Sequence, residues 1–130
     1  MASHDRVLLA DSHPNMLEAV RGLLVGKFAT IVMVGDEASL LDAAARLGPD
    51  LVIVDLSLPV SGSVNILRTL LGRLPGLRVL VLSVHDEPTA ARQAFTLGAA
   101  GFVLTRRVAV DLRDAVDAVL RGETYGAVVC

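Results

Sequence analysis

Apolar residues along this chain gather in short, almost unbroken runs, and each run gives way to a stretch with a longer period. Residues 6–10 (RVLLA), 29–34 (ATIVMV), 50–54 (DLVIV), 77–82 (LRVLVL) and 101–105 (GFVLT) would be apolar on both faces of an extended backbone. Such runs read as strands of a parallel sheet that is covered on both sides. Between them, apolar positions recur every three or four residues, the period of a helix with one buried face. Met16, Leu17, Val20, Leu23 and Leu24 make one stripe; Leu40, Leu41, Ala44 and Leu47 make the next; Ile66, Leu67, Leu70 and Leu71 make a third. Residues 89–98 (TAARQAFTLG) and 111–122 (DLRDAVDAVLRG) supply two more helices.

The punctuation agrees with this division. Ser12 is placed to cap a helix whose first turn holds Pro14, Asp86 to cap one that holds Pro88, and Asp111 or its predecessors to cap the last. Gly26, Gly48 with Pro49, Pro75 with Gly76, Gly98 and Gly122 stand where helices should stop. Five strands alternating with five helices predict an α/β fold: a three-layer α/β/α sandwich around a five-stranded parallel sheet, (βα)5. Residues 1–122 are expected to form that domain, and 123–130 (ETYGAVVC) a tail without a period of its own.

Composition narrows the function classes. A length of 130 residues suits one core, and no stretch reaches the roughly 18 apolar residues of a membrane span. Asp5 and Arg6 interrupt the start before any long apolar region, so no signal peptide is expected. The single cysteine, Cys130, gives no disulfide framework and no cysteine-rich metal site, which fits a cytoplasmic protein. A net charge of −2 and 3% aromatic residues offer neither a basic footprint nor a stacking platform for nucleic acid.

Chemistry collects at the carboxyl ends of the strands, the edge where open α/β sheets bind ligands. The first strand ends in Asp11 and Ser12, the third in Asp55 with the Ser57 backbone close by, the fourth in Ser83 and the fifth in Thr105. Two carboxylates with carbonyls and water suit a hard cation such as Mg²⁺. A carboxylate beside such a cation is also a plausible nucleophile toward phosphorus. Plainer roles exist for each residue: Asp11 and Asp55 as caps or turn residues, Ser83 and Thr105 as strand-end hydroxyls, Phe102 as core. His13 and His85 flank the same rim as a conceivable metal-ligand pair, and Arg106 and Arg107 read as a solvated surface pair.

Four segments, in order and at matching spacings, resemble the receiver domain of two-component response regulators, closest to the NarL/FixJ type. They are VLLADSHP (7–14), PDLVIVDLSLP (49–59), VLVLSVHDE (79–87) and LGAAGFVL (97–104). The resemblance implies a flavodoxin-like, CheY-like fold and a set of roles. Asp55 would accept a phosphoryl group from a histidine kinase or a small phosphodonor. Asp11, Asp55 and the Ser57 backbone would hold Mg²⁺. Ser83 would be the switch hydroxyl, and Phe102 the aromatic that moves with it. Three positions depart from the pattern. Ser12 replaces the second acid and should weaken the metal site; Thr105 replaces a lysine and cannot form its ion pair; Ser63 stands where glycine is usual, after Ser61 and Gly62.

Two readings of the resemblance follow. In one, the chain is a phosphorylatable receiver that controls an output, such as transcription through an attached helix-turn-helix domain. The tail would then begin the linker to that domain, DNA would be reached only through it, and a homodimer would be a natural partner. In the other, the chain is a degenerate receiver that works as an interaction module independent of phosphate. A flavin carrier or small enzyme on the same fold is the remote alternative, and the chain lacks G-x-G-x-x-G, P-loop and G-x-S-x-G motifs. The receiver's own phosphorylation is the only catalysis expected.

Overall fold

The strands anticipated from the apolar runs all pair. A computed structural model describes residues 4–56 and 65–126. In chain order it has β1 (His4–Ala10), α1 (Pro14–Leu24), β2 (Phe28–Val34), α2 (Glu37–Leu47), β3 (Leu51–Asp55), α3 (Asn65–Arg73), β4 (Val79–Ser83), α4 (Pro88–Thr96), β5 (Gly101–Leu104) and α5 (Val108–Leu120). The strands form one sheet in the order β2-β1-β3-β4-β5, and every pairing is parallel.

Strand alternation sorts the core into two halves. Leu8, Ala10, Val52, Val54, Val79, Val81 and Phe102 face α2, α3 and α4, where they meet Leu40, Ala44, Ile66, Leu67, Leu70, Ala91 and Ala94. Val7, Leu9, Leu51, Ile53, Leu80, Leu82 and Val103 face α1 and α5, where they meet Val20, Leu24, Leu112, Ala115, Val116 and Val119. The central strands β3 and β4 are buried along their whole length, as their unbroken apolar character predicts. The expected three-layer sandwich is therefore the fold.

Several expected caps are not the ones used. Ser12 does not cap α1: the N-cap position is His13, with no side-chain cap bond, and Pro14 opens the helix. Asp86 does not cap α4 either, because Glu87 holds that position and Asp86 instead pairs with Arg106, 3.1 Å away. Asp111 lies inside the first turn of α5 and binds Arg107 at 2.9 Å, so the N-cap is Arg107. For Asp86 and Asp111 an arginine claims the side chain that a cap would need, and at Ser12 the Asp11 carboxylate already turns the chain. Asp36 does cap α2, accepting from the Ser39 N–H at 2.7 Å. Thr105 lies in a 3-10 turn (Thr105–Arg107) between β5 and α5, and not in the strand.

The aperiodic tail has an attachment. Tyr125 bridges Gly101 as a parallel neighbour; its N–H donates to the Ala100 carbonyl at 3.0 Å, and its carbonyl accepts from the Phe102 N–H at 2.9 Å. Gly126 follows at φ +83, packed so closely on the Phe102 carbonyl that a Cβ would overlap it. Among the described residues, no helix is long and apolar enough to cross a membrane.

Candidate functional site

Because the sheet is wholly parallel, the carboxyl ends of β1, β3 and β4 open on one rim. Among the described residues, the buried polar or charged side chains are Asp11, Asp55 and Ser83, at 3%, 4% and 1% exposure. All three stand at that rim. Buried polar groups cost stability unless they are satisfied, so their concentration at one edge marks it as a site and not as a random surface.

The backbone places each of them. The Asp11 N–H still donates to the Val34 carbonyl at 3.1 Å, which continues the β1–β2 ladder one residue beyond the strand. Asp55 pairs in register with Leu82, and the Leu56 N–H donates to the Leu82 carbonyl at 3.0 Å. Ser83 pairs with Leu104. Strand order brings β1 and β4 to either side of β3, so Asp55 sits between the other two.

Asp11 turns the chain with its own carboxylate. Oδ1 accepts from the His13 N–H at 2.9 Å and lies 2.8 Å from the His13 ring nitrogen Nδ1. An aspartate that binds the backbone two residues on is a turn former, which is why α1 starts without a side-chain cap. Oδ2 is buried and has no hydrogen-bond partner. One oxygen of Asp11, one of Asp55 and a ring nitrogen of His13 all lie within 4.8 Å of one another. Burial pushes the Asp11 carboxyl above the usual carboxylate range; the nearby Asp55 adds to that push, and the His13 contacts oppose it.

On the other side of Asp55, the Ser83 hydroxyl accepts from the His85 N–H at 3.0 Å. The Thr105 hydroxyl donates to the Ser83 carbonyl at 3.4 Å. Thr105 thus ties the end of β5 to the end of β4 and offers no charge to the rim. The two arginines that follow are paired elsewhere, Arg106 with Asp86 and Arg107 with Asp111. Phe102 is buried against Ala91 and Ala94 of α4.

Of the residues singled out from the sequence, Asp11, Asp55 and Ser83 converge. Ser12 is half-buried next to Asp11. Ser57, Ser61, Gly62 and Ser63 lie outside the described residues. His13 joins Asp11 and Asp55, while the His85 ring lies 3.7 Å from Glu87. His13 stands at the rim where the sequence put it, but its neighbours are Asp11 and Asp55 and not His85: the Asp11 turn brings the histidine ring back to the Asp11 carboxylate. Tyr125 was missed, since one residue of pairing leaves no period to read.

A donor set of two buried carboxylates, one with an orphaned oxygen, fits a divalent cation. Asp55 ends the central strand β3 beside Asp11.

The response regulator receiver domain family matches residues 7–117. The chain is 28% identical over 122 residues to the transcriptional regulatory protein DegU of Brevibacillus brevis, covering 92% of this chain and 52% of DegU. It is 35% identical over 127 residues to the transcriptional activator protein ExaE of Pseudomonas putida, covering 92% and 56%. Its fold superposes with a TM-score of 0.88 and 26% identity on a LuxR-family two-component response regulator from Aurantimonas sp., covering 97% of this chain and 91% of that one. The chain spans about half the length of the curated relatives it matches. With most of its length matched and its sheet shared with a response regulator, the chain belongs to the family of response regulator receiver domains.

Proposed function

We propose that Asp55 accepts a phosphoryl group from a histidine kinase or a small phosphodonor and so controls an attached output. The observation that carries the reading is the convergence of the buried Asp11, Asp55 and Ser83 at the carboxyl rim of the sheet. In the transfer, an Asp55 carboxylate oxygen forms the new bond to phosphorus. The bond from phosphorus to the donor's imidazole nitrogen, or to the acyl oxygen of a donor such as acetyl phosphate, breaks, and the donor leaves with that electron pair. Asp11 and Asp55 would hold a dication, Mg²⁺ in the ordinary case, which supplies charge neutralisation. The Ser83 hydroxyl, which donates to the His85 carbonyl at 3.5 Å, would turn its hydrogen to a phosphoryl oxygen. Phe102, packed behind it on α4, would register that movement. Relatives such as DegU and ExaE are named as transcription regulators, which supports transcription control as the output, exerted on DNA by a domain outside this chain. A cytoplasmic setting and pairing with a second copy belong to the same reading.

A second reading is favoured by one specific feature: no cation faces the pocket from the end of β5, since Thr105 is neutral and Arg106 and Arg107 are engaged elsewhere. On that reading the domain is an interaction module whose state does not depend on phosphate. Treatment with acetyl phosphate, or with beryllofluoride and Mg²⁺, separates the two. A mass gain of one phosphoryl group, with shifted amide resonances at Ser83 and Phe102, is expected for the wild type and absent in Asp55→Asn. Identical behaviour of the two proteins would leave the interaction module.

A further inference from the structure

The pocket lacks an acid where receivers ordinarily carry a second one, and Ser12 brings no charge in its place. The next residue brings a ring nitrogen. His13 Nδ1 lies 2.8 Å from Asp11 Oδ1. One oxygen of Asp11, one of Asp55 and a ring nitrogen of His13 sit within 4.8 Å of one another. Around a six-coordinate dication with bonds of about 2.1 Å, neighbouring donors are about 3 Å apart and opposite donors about 4.2 Å. Separations within 4.8 Å are close to that span, so the three groups can converge on one ion.

An independent feature points to a ligand in that place. Asp11 is 3% exposed, and its Oδ2 is buried without a hydrogen-bond partner. The His13 N–H and ring both address Oδ1, so the turn itself leaves the second oxygen unsatisfied. An orphaned buried carboxylate oxygen calls for an electropositive partner. The His13 ring is 64% exposed, so it can turn its nitrogen from Asp11 to an ion without disturbing the core.

We propose that His13 takes the place of the missing acid as a metal ligand, so that the Asp11–His13–Asp55 pocket takes a first-row transition dication such as Co²⁺ or Ni²⁺ in preference to Mg²⁺. Imidazole suits such ions, whereas Mg²⁺ demands oxygen donors and keeps its waters. The inference rests on reading the same pocket as the cation site of phosphoryl acceptance, but it concerns binding and is measured without phosphoryl transfer.

Calorimetric titration of the full chain with CoCl2 and with MgCl2 tests it, using wild type, His13→Ala, His85→Ala and Asp55→Asn. Wild type should bind Co²⁺ at least about tenfold tighter than Mg²⁺. His13→Ala should lose about tenfold or more in Co²⁺ affinity and stay within about twofold for Mg²⁺. His85→Ala should match wild type, and Asp55→Asn should weaken both ions. The His13 ring proton resonances should show paramagnetic shifts with Co²⁺. A His13→Ala protein with unchanged Co²⁺ affinity, an equal loss for both ions, or a Co²⁺ site that disappears with His85 would each overturn the assignment. Labelling by acetyl phosphate is scored separately. Failure to label Asp55 while His13-dependent Co²⁺ binding persists overturns only the phosphoacceptor reading. Labelling in Mg²⁺ with no effect of His13 on Co²⁺ overturns only the ligand assignment.

Discussion

Replacing Asp11 with asparagine should make the protein more stable at neutral pH while it removes the cation pocket. Asp11 and Asp55 bring two carboxylates within 4.8 Å at buried positions. Unit charges no more than 4.8 Å apart repel by at least about 3.5 kcal/mol at an effective dielectric constant of about 20. Asparagine keeps Oδ1 to accept the His13 N–H, now 2.9 Å away, so the turn into α1 survives. Residual amide desolvation and local water trim the gain, and a net stabilisation of about 1–3 kcal/mol is expected in the presence of a chelator. Function-bearing charge clusters commonly carry such a cost.

The pH dependence follows from the raised pKa. Burial, with Asp55 adding to it, holds the Asp11 carboxyl above the usual carboxylate range in the folded chain. The unfolded chain therefore releases this proton at a lower pH than the folded chain does. Between the two pKa values the folded state holds more protons, and stability falls as pH rises through that window. The advantage of asparagine should shrink as pH falls below the ordinary carboxylate range, where the carboxyl becomes protonated in both states, and should grow as pH rises through the raised pKa of the folded chain. Urea unfolding followed by far-ultraviolet circular dichroism reads it, since the chain has no Trp and one Tyr. Adding a dication at a hundredfold excess over its Kd should stabilise wild type by about 2.7 kcal/mol and leave Asp11→Asn unmoved. An asparagine variant less stable than wild type at pH 7.5 in chelator, or equally favoured at pH 3.5 and 7.5, would refute the reasoning.

Three further predictions follow from other parts of the molecule. Gly101→Ala places a Cβ 2.5 Å from Leu80 Cδ1 and 3.1 Å from Val119 Cγ2, between β4 and α5; it should cost about 1–3 kcal/mol, read as a lower urea midpoint at constant slope. Gly126→Ala, at φ +83 and against the Phe102 carbonyl, should release Tyr125 from β5. Amide exchange at Phe102 should then accelerate by more than about tenfold while the global unfolding midpoint stays put. Ser12→Asp should raise Mg²⁺ affinity by about tenfold in a calorimetric titration, and an unchanged affinity would show that residue 12 does not reach the ion.

The architecture was legible in the sequence wherever one physical rule acted alone. β3 and β4 are apolar on both faces because both faces are covered, so Leu51–Asp55 and Val79–Ser83 could be placed from the run alone. Asp11, Asp55 and Ser83 were legible for the converse reason: a polar residue that directly ends a buried strand has one place to go. What could not be read depended on competition between side chains. Asp86 and Asp111 have the chemistry of caps, but Arg106 and Arg107 hold them. Ser12 has it too, but the Asp11 carboxylate satisfies the turn first. Such contests are decided by rotamers and by distances across the chain, and periodicity carries neither. Tyr125 finds β5 through two backbone hydrogen bonds, which any side chain would allow.

Thr105 decides how the pocket is balanced. Its hydroxyl is spent on the Ser83 carbonyl, and the two guanidinium groups after it are directed to Asp86 and Asp111 on the surface. The rim is left with two buried carboxylates and, among the described residues, no buried cation beside them. A phosphoryl group would add roughly −1.5 to −2 of charge to that place. In a receiver with a lysine at this position, part of that charge meets a fixed partner. If Asp55 is phosphorylated as proposed, the neutralising charge would come from a bound dication, which the orphaned oxygen of Asp11 and the nearby His13 ring would help to hold. Ser12 and Thr105 are both neutral, so the rim has neither a third carboxylate nor a lysine. On the proposed phosphoacceptor reading, the first weakens the hold on a dication and the second removes a fixed partner for the phosphoryl group, so the state of Asp55 would depend on which ion occupies the pocket and how tightly.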